Sequence, residues 1–287
     1  ISQLEKNSVK MAESYLLGKP GIASRDCLIE WLESWANADS LLSTDSNHTG
    51  MSVRKWALAS VASAYFLVKA PEGAPLIEVT KRQKIEDWFA KIAEQVVIDW
   101  SDRPESKRNN HDYWAAWSVM ITSIVLNRQD LFDWANTGLR QGLAQIDNDG
   151  FLPNELKRST RALSYHNYSI QPLVMLAVFS ETNQAELTTT ERLALHKLIV
   201  ATVEGLSNPA LFEHKTGAEQ IIDGLVTSYA LAWMEPYSRY FGKNVLFSAY
   251  FDTMRPLKTT RLGGDLTRVF NISESALAAP PIITEIK

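Results

Sequence analysis

Apolar residues recur at helical spacing along almost the whole of this 287-residue sequence, and no stretch alternates between apolar and polar residues as a half-buried β-strand does. The connections between these segments are mostly short, so consecutive helices should pair antiparallel. No linker or low-complexity stretch divides the chain, and residues 1–287 are therefore predicted to form a single all-α domain. The predicted helices are Asp26 to Leu42, Val53 to Val68, Ile77 to Trp100, His111 to Leu126, Leu131 to Ile146, Leu163 to Ser180, Thr190 to Leu206 and Leu225 to Tyr240.

Charge and cysteine content exclude several classes of protein. A net charge of -4 gives no global basic field, so no nucleic-acid partner is expected. No apolar run is long enough for a transmembrane helix, which needs about 20 residues, so no membrane insertion is expected. Cys27 is the only cysteine, which excludes an intrachain disulfide and a cysteine-based metal site. With no evident cluster of metal ligands, neither a metal nor another cofactor is predicted.

Two asparagines and a histidine stand immediately before an apolar helical run. Asn109 and Asn110 occupy the position where helix-capping residues occur, and His111 follows in the first turn. A helix N-terminus also offers free N–H groups and a positive dipole end to an anion. Two interpretations stay open at this point: a cap beside a structural histidine, or a site that binds an acidic group.

A second group combines guanidinium and phenol side chains. Arg158, Arg161, Tyr165 and Tyr168 fall at i, i+3, i+7 and i+10, which would place them on one face of a helix. Positive charge beside a phenol favours the phenolate, which can act as a general base. The alternative is a solvated basic face above aromatic packing.

Together, these amide, imidazole, guanidinium and phenol groups suit one kind of chemistry. A substrate carboxylate is neutralised, and the adjacent carbon loses a proton. Hydrolysis of a glycoside would instead need two opposed carboxylates, and no convincing pair lies near His111 or Tyr165 in the sequence.

Further blocks of sequence follow one another in order along nearly the whole chain. They are Asn47 to Gly50 with Arg54 to Leu58, Ile85 to Ala90, Asn109 to Ser118, Arg128 to Ala135, Gly150 to Arg158, Tyr165 to Tyr168 and Arg261 to Gly264. In these blocks the chain resembles the mannuronate-specific alginate lyases found with bacterial alginate biosynthesis, the fifth polysaccharide lyase family. The resemblance implies an incomplete (α/α) toroid of antiparallel helical hairpins with a deep central cleft.

The resemblance also implies roles for individual residues. Asn110 and Arg158 would neutralise the substrate carboxylate, with His111 beside them, and Tyr165 would be the catalytic acid and base. We expect His111, Arg158, Tyr165 and Arg261 to converge on the cleft. The residues predicted to bind the polymer are Asn47, His48, Arg54, Lys55, Tyr113, Trp114, Arg161 and Arg261.

The function implied is cleavage of alginate at mannuronate residues by β-elimination, which leaves 4,5-unsaturated uronate ends. A glycoside hydrolase and a non-catalytic alginate-binding protein on the same kind of helical toroid are the alternatives. The resemblance implies a periplasmic protein whose partner is alginate, with contact to alginate biosynthesis or export proteins. Because the sequence starts at Ile1 without a methionine, a removed leader or a trimmed terminus is expected, and the family's N-terminal lid segment is expected to be absent.

Overall fold

Helices dominate the computed structural model, which describes residues 1–19, 21–69, 75–242 and 247–271. Within these ranges the only strands are the two-residue segments β1 (Lys258–Thr259) and β2 (Gly264–Asp265), so the all-α class predicted from the periodicity is confirmed. The α-helices are α1 (Ser2–Leu16), α2 (Ile22–Asn37), α3 (His48–Lys69), α4 (Val79–Ser101), α5 (Asn110–Leu126), α6 (Gln129–Ala144), α7 (Pro153–Leu156), α8 (Ala162–Thr182), α9 (Thr189–Ser207), α10 (Ala210–Thr216), α11 (Met234–Phe241), α12 (Ser248–Met254) and α13 (Leu266–Asn271).

Contacts within the chain define two compact units. Among the described residues, the first comprises 1–102, 118–134 and 260–264, and the second comprises 103–117, 135–259 and 265–271. Helices α5 and α6 each contribute residues to both units. The single domain spanning residues 1–287 stays a prediction.

Helix α3 carries much of the core of the first unit. Its residues from Ala57 to Tyr65 are almost completely buried, and many of them are alanine or serine. Small side chains let another helix approach closely, and α1 packs against α3. Farther along α3, Tyr65 meets Phe89 edge to face at a centroid distance of 5.5 Å, and its hydroxyl donates to Glu86 Oε1 at 3.1 Å. A helix buried on most of its surface has no polar face, which explains the nearly continuous apolar sequence.

An aromatic cluster forms part of the core of the second unit. Phe151, His166 and Phe212 meet edge to face, with ring centroids 4.9 to 5.9 Å apart. Gly150 precedes this cluster with φ +89°, and a Cβ at that position would lie 2.4 Å from the carbonyl oxygen of Lys197. Only glycine fits there, because both the backbone conformation and the close approach of α9 exclude a side chain.

The predicted helix from Leu225 to Tyr240 is wrong over its first half. Residues 223–233 form turns, and α11 begins only at Met234. The side chain of Asn167 on α8 causes the difference: its Nδ2 donates to the carbonyl oxygen of Ala230 at 3.1 Å, and its Oδ1 accepts from Trp233 Nε1 at 2.9 Å. These tertiary hydrogen bonds hold the backbone in turns despite the helical spacing of its apolar residues.

Candidate active site

All four residues predicted to be catalytic lie in the second unit. Asn110 and His111 begin α5, Arg158 follows the short helix α7, and Tyr165 stands in the first turn of α8. Asn110 is completely buried, whereas the other three are partly exposed. Arg261 belongs to the first unit, so its convergence with the other residues stays a prediction.

Local hydrogen bonds fix the start of α5. The Asp112 carboxylate accepts from the backbone N–H of Asn109 at 2.8 Å, and Asn109 Oδ1 accepts from the backbone N–H of His111 at 3.0 Å. This reciprocal pair satisfies donors that would otherwise be free at a helix start. Asp112 also pairs with Arg103, with Nε 3.0 Å from Oδ1. The predicted helix start is therefore confirmed. The cap fixes the backbone from which the side chains of Asn110 and His111 project.

A turn, rather than a helix, brings Arg158 to Tyr165. Ser159 has φ +56°, a 3₁₀ turn covers Ser159–Arg161, and α8 begins at Ala162. The prediction that Arg158, Arg161, Tyr165 and Tyr168 share one helical face is wrong for this reason. Nevertheless, the Arg158 guanidinium carbon lies 4.7 Å from the centroid of the Tyr165 ring. The guanidinium and the phenol are therefore together, as the chemistry requires.

Behind these groups lies a buried carboxylate that was not predicted as a site residue. Glu155 is wholly buried, and its Oε1 accepts from the backbone N–H of Asn110 at 2.6 Å and from Asn110 Nδ2 at 2.9 Å. Its Oε2 lies 3.4 Å from Arg158 Nε, and the hydroxyl of Ser169 donates to Oε1 at 3.3 Å. Burial raises the pKa of Glu155, while the bonds from Asn110 and the Arg158 cation oppose that shift. The spacing Glu155 to Arg158, i and i+3, was the available sequence signal.

The turn at 158–161 depends on a residue that local sequence could not reveal. Gln220 donates from Nε2 to the carbonyl oxygen of Ser159 at 3.0 Å and accepts from the backbone N–H of Leu163 at 3.0 Å. The next backbone N–H, of Ile221, donates to the carbonyl oxygen of Thr160 at 2.8 Å. One amide thus supports the turn and satisfies a donor at the start of α8. Leu163 and Ser159 lie 57 and 61 residues from Gln220 in the chain.

Two aromatic residues predicted to bind the polymer are buried. The Tyr113 hydroxyl donates to Gln145 Oε1 at 2.7 Å, and burial, followed by the charges of Glu155 and Asp112, raises the pKa of Tyr113 well above its usual value. The Trp114 ring is stacked on Tyr168 at a centroid distance of 5.2 Å. Tyr168 is only partly buried, so the accessible ring of this pair is the tyrosine. Substrate contact by Tyr113 and Trp114 stays a prediction that their burial does not favour. Arg161, also predicted to bind, is exposed.

His166 has a structural position within the Tyr165 to Tyr168 block. Its Nε2 accepts from the backbone N–H of Leu152 at 2.9 Å, so the proton lies on Nδ1, which donates to the carbonyl oxygen of Ala162 at 2.8 Å. The bond from Leu152 requires the neutral ring, because a protonated Nε2 cannot accept. Burial lowers the pKa of His166 to about 4.

This histidine should make stability depend on pH. The folded pKa of about 4 lies below the ordinary 6.5, so the unfolded chain binds a proton first as the pH falls. The stability that the neutral ring contributes is therefore complete above pH 6.5 and is lost progressively between pH 6.5 and 4. We expect the free energy of unfolding in urea to fall by about 2 kcal/mol between about pH 7 and about pH 5 from this group.

Substitution separates this contribution from that of other groups. His166→Gln should lower stability and remove that part of the pH dependence. Exposed His214, replaced by glutamine, is the matched control and should leave the slope unchanged. An unchanged slope in His166→Gln would contradict the assignment.

In the first unit, the predicted binding residues near the start of α3 have partners within the protein. Arg54 is buried, forms an ion pair with Asp99, and donates to the carbonyl oxygens of Leu41 and Ser43. Asn47 Oδ1 accepts from the backbone N–H of Gly50 at 3.0 Å. Arg54 thus anchors the loop before α3, and Asn47 caps that helix. A role for either in binding substrate stays a prediction.

Two of the cationic residues predicted to bind the polymer, Lys55 and Arg261, each lie over a tryptophan ring in the first unit. Buried Lys55 has its Nζ 3.3 Å from the centroid of the Trp100 ring, and the Arg261 guanidinium carbon lies 4.1 Å from the centroid of Trp56. His48 contacts Trp100 edge to face at 5.7 Å. The tryptophans were not predicted as site residues, and the position of Trp56 next to Lys55 was the only sequence signal.

Arg261 also has an acidic neighbour, with its Nε 3.8 Å from Glu5 Oε1. Burial raises the pKa of Glu5, and the Arg261 charge opposes that shift. Arg261 is 25% exposed, so it is the more accessible of the two stacked cations, whereas Lys55 is fully buried.

The described parts of the chain show neither a candidate metal site nor a candidate membrane-spanning helix. No group of three or more histidine, cysteine, aspartate or glutamate side chains there could hold a metal ion. No helix in the same ranges combines the length and the apolar composition needed to cross a bilayer.

In the second unit of this helical chain, an amide and a guanidinium bind one buried carboxylate, and the guanidinium also contacts a phenol. These are the features of a helical polysaccharide lyase. Solved structures support the fold. The chain is similar to alginate lyase A1-III from Sphingomonas species A1, with a TM-score of 0.80, 23% identity, and coverage of 94% of this chain and 76% of that one. A variant of alginate lyase A1-III complexed with a tetrasaccharide gives a TM-score of 0.81 at 23% identity, with 94% and 77% covered. The (α/α) toroid class is thus confirmed as the fold.

Sequence comparison identifies the family. The family profile described as alginate lyase matches residues 15–212. An alginate lyase of Pseudomonas fluorescens is 45% identical over 273 residues, which cover 94% of this chain and 73% of that protein. An alginate lyase of Cobetia marina is 44% identical over 275 residues, with 95% and 73% covered. The chain belongs to the alginate lyase family, and it is a polysaccharide lyase that acts on alginate.

Proposed function

We propose that this lyase cleaves alginate at mannuronate residues, with Tyr165 acting as both base and acid. Asn110 and Arg158 neutralise the substrate carboxylate, and His111 lies beside Asn110 at the same helix start. The observation that carries the proposal is the contact of the Arg158 guanidinium with the Tyr165 ring, at 4.7 Å, while Glu155 binds both Arg158 and Asn110. The amide, the guanidinium and the phenol are thereby collected within one unit.

The reaction follows from where charge develops. The C5 proton of a uronate is α to the C6 carboxylate, so its removal places a second negative charge on that group. Hydrogen bonds from Asn110 and the positive charge of Arg158 stabilise the resulting enolate. The enolate then collapses: the C4–C5 double bond forms, the bond from C4 to the glycosidic oxygen breaks, and that oxygen takes a proton.

Tyr165 can perform both proton transfers because of the geometry of mannuronate. The phenolate removes the C5 proton, and the phenol so formed returns a proton to the departing glycosidic oxygen. In mannuronate the C5 proton and the C4 oxygen lie on the same face of the ring, so one group reaches both. The Arg158 guanidinium lies beside the Tyr165 ring, with its carbon 4.7 Å from the ring centroid.

This geometry predicts a strong preference for mannuronate over guluronate. In guluronate the C5 proton and the C4 oxygen lie on opposite faces, so a single phenol cannot serve both. Initial rates on pure poly-mannuronate and poly-guluronate, at equal uronate concentration and salt, measure the preference, and poly-mannuronate should be much the better substrate. Equal rates would contradict the single-phenol mechanism and point to His111 as an independent base.

The carboxylates near the site do not favour the hydrolase alternative. Glu155 is completely buried among hydrogen-bond donors, and Asp112 caps α5 and pairs with Arg103. An inverting or retaining hydrolase needs two carboxyl groups that face the substrate from opposite sides. Neither of these residues is placed to supply one.

We further propose that the protein acts in the periplasm and contacts alginate biosynthesis or export proteins there. The support is its resemblance to lyases found with alginate biosynthesis. Cell fractionation, followed by cross-linking within the periplasmic fraction, tests both statements. Recovery in the cytoplasmic fraction would contradict the first.

A further inference from the structure

We propose that Glu155 is a positioning residue for the lyase reaction, which orients the Asn110 amide and the Arg158 guanidinium toward the substrate carboxylate. The inference rests on the proposed function and assigns a role to a residue that neither touches the polymer nor moves a proton. It would act through the two groups that it binds.

The hydrogen bonds of Glu155 hold Asn110 in one orientation. Oε1 accepts both from the Asn110 backbone N–H, at 2.6 Å, and from Asn110 Nδ2, at 2.9 Å. Rotation of the amide by a half-turn would bring Asn110 Oδ1 against the carboxylate oxygen, and the two acceptors would repel each other. The amide nitrogen carries a second hydrogen besides the one that it donates to Glu155.

A second observation shows that this orientation is imposed on Asn110. Asn110 Oδ1 is buried and has no hydrogen-bond partner among the described residues. A buried acceptor without a partner is unfavourable, and such groups are rare in folded proteins. The bonds to Glu155 offset this penalty, so the protein keeps the amide donor in place at the expense of its acceptor.

Glu155 also constrains Arg158. Its Oε2 lies 3.4 Å from the Nε of that guanidinium, and the guanidinium carbon lies over the Tyr165 ring, 4.7 Å from its centroid. The two terminal nitrogens of Arg158 have no hydrogen bond within the described residues. A pair of guanidinium nitrogens can donate two parallel hydrogen bonds to a carboxylate. The Arg158 side chain is 35% exposed.

Glutamine cannot replace Glu155 in this arrangement. A carboxylate has two acceptor oxygens, and here one serves Asn110 while the other faces Arg158. The glutamine side chain of Glu155→Gln has one acceptor and one NH₂ donor. Whichever way that amide turns, a donor faces either Asn110 or Arg158, and the orientation of one of them is lost.

The test compares two buried glutamates of the same unit. Glu235, 3% exposed, binds Arg255 through Nε at 2.7 Å and Nη2 at 2.9 Å, which makes Glu235→Gln a matched control. We expect Glu155→Gln to lower kcat/KM by about a hundredfold, the effect of losing an oriented donor, and Glu235→Gln to leave it within about threefold. Thermal unfolding identifies a temperature at which both variants are folded.

A double-mutant cycle separates positioning from general destabilisation. If Glu155 acts through Arg158, the loss caused by Glu155→Gln should shrink several-fold when Arg158 is already lysine, whereas the effect of Glu235→Gln should be unchanged. Additive losses would overturn the proposal, as would wild-type activity of Glu155→Gln. Should that variant fail to fold, Glu155→Asp keeps the charge but shortens the reach, and full activity of Glu155→Asp would also overturn it. An active Tyr165→Phe variant would instead contradict the proposed function itself.

Discussion

Replacing Tyr165 by phenylalanine is expected to lower kcat by about a hundredfold or more, because it removes the hydroxyl that we propose transfers both protons. The ring stays in place, so its contact with the Arg158 guanidinium and the fold should survive. Binding of the polymer should therefore be nearly unchanged. The measurement is kcat from the ultraviolet absorbance of the unsaturated product, alongside the affinity for poly-mannuronate.

Two further tyrosines of the second unit sharpen this test. Tyr229 is 44% exposed, and Tyr229→Phe is the control that should retain wild-type kcat. Tyr168 stands one turn after Tyr165 on α8 and is stacked on Trp114, so it is the next candidate if Tyr165→Phe remains active. Activity in both Tyr165→Phe and Tyr168→Phe would contradict a phenol mechanism altogether.

Arg158→Ala should damage binding and turnover together. In the proposed mechanism, the guanidinium binds the substrate carboxylate in the ground state and stabilises its greater charge in the transition state. We expect kcat/KM to fall by about a thousandfold, with a rise in KM as well as a loss of kcat, in contrast to the loss of kcat alone in Tyr165→Phe. Steady-state kinetics on poly-mannuronate distinguishes the two patterns.

The chain offers a close control for Arg158. Arg255 also pairs with a buried glutamate, Glu235, and also stacks over an aromatic ring, with its guanidinium carbon 4.2 Å from the centroid of Phe251. Arg255→Ala should therefore share any destabilisation that comes from leaving a buried carboxylate without its partner. Equal losses of kcat/KM in Arg158→Ala and Arg255→Ala would indicate a structural effect and contradict the catalytic role.

Features encoded by neighbouring residues were predictable from the sequence. The start of α5 followed from Asn109 and Asn110 before an apolar run, because helix caps are local. The all-α class followed from periodicity that repeats along the chain. The contact between Arg158 and Tyr165 was also expected. The backbone between them was predicted to be helical, whereas it forms a turn with φ +56° at Ser159.

Features that depend on distant residues could not be predicted in this way. Gln220 supports the turn after Arg158, although Gln220 and its partner Ser159 are 61 residues apart in the chain. Asn167 likewise holds the residues near Ala230 in a turn, although the local sequence around Ala230 predicts a helix. For Arg54, the sequence suggested a role that its contacts in the structure do not favour. Its place in a family block suggested substrate binding, yet its guanidinium is engaged by Asp99 and by backbone carbonyls. A sequence motif does not distinguish a charge that meets a ligand from one that anchors a loop.

The product of the reaction tests the central claim most directly. Elimination creates one C4–C5 double bond for every new reducing end, whereas hydrolysis creates reducing ends alone. When the protein is incubated with poly-mannuronate and both quantities are followed in the same samples, we expect ultraviolet absorbance and reducing ends to rise together in equal amounts. Reducing ends without absorbance would show a hydrolase, and a rise in neither, with the polymer bound, would show a protein that only binds alginate.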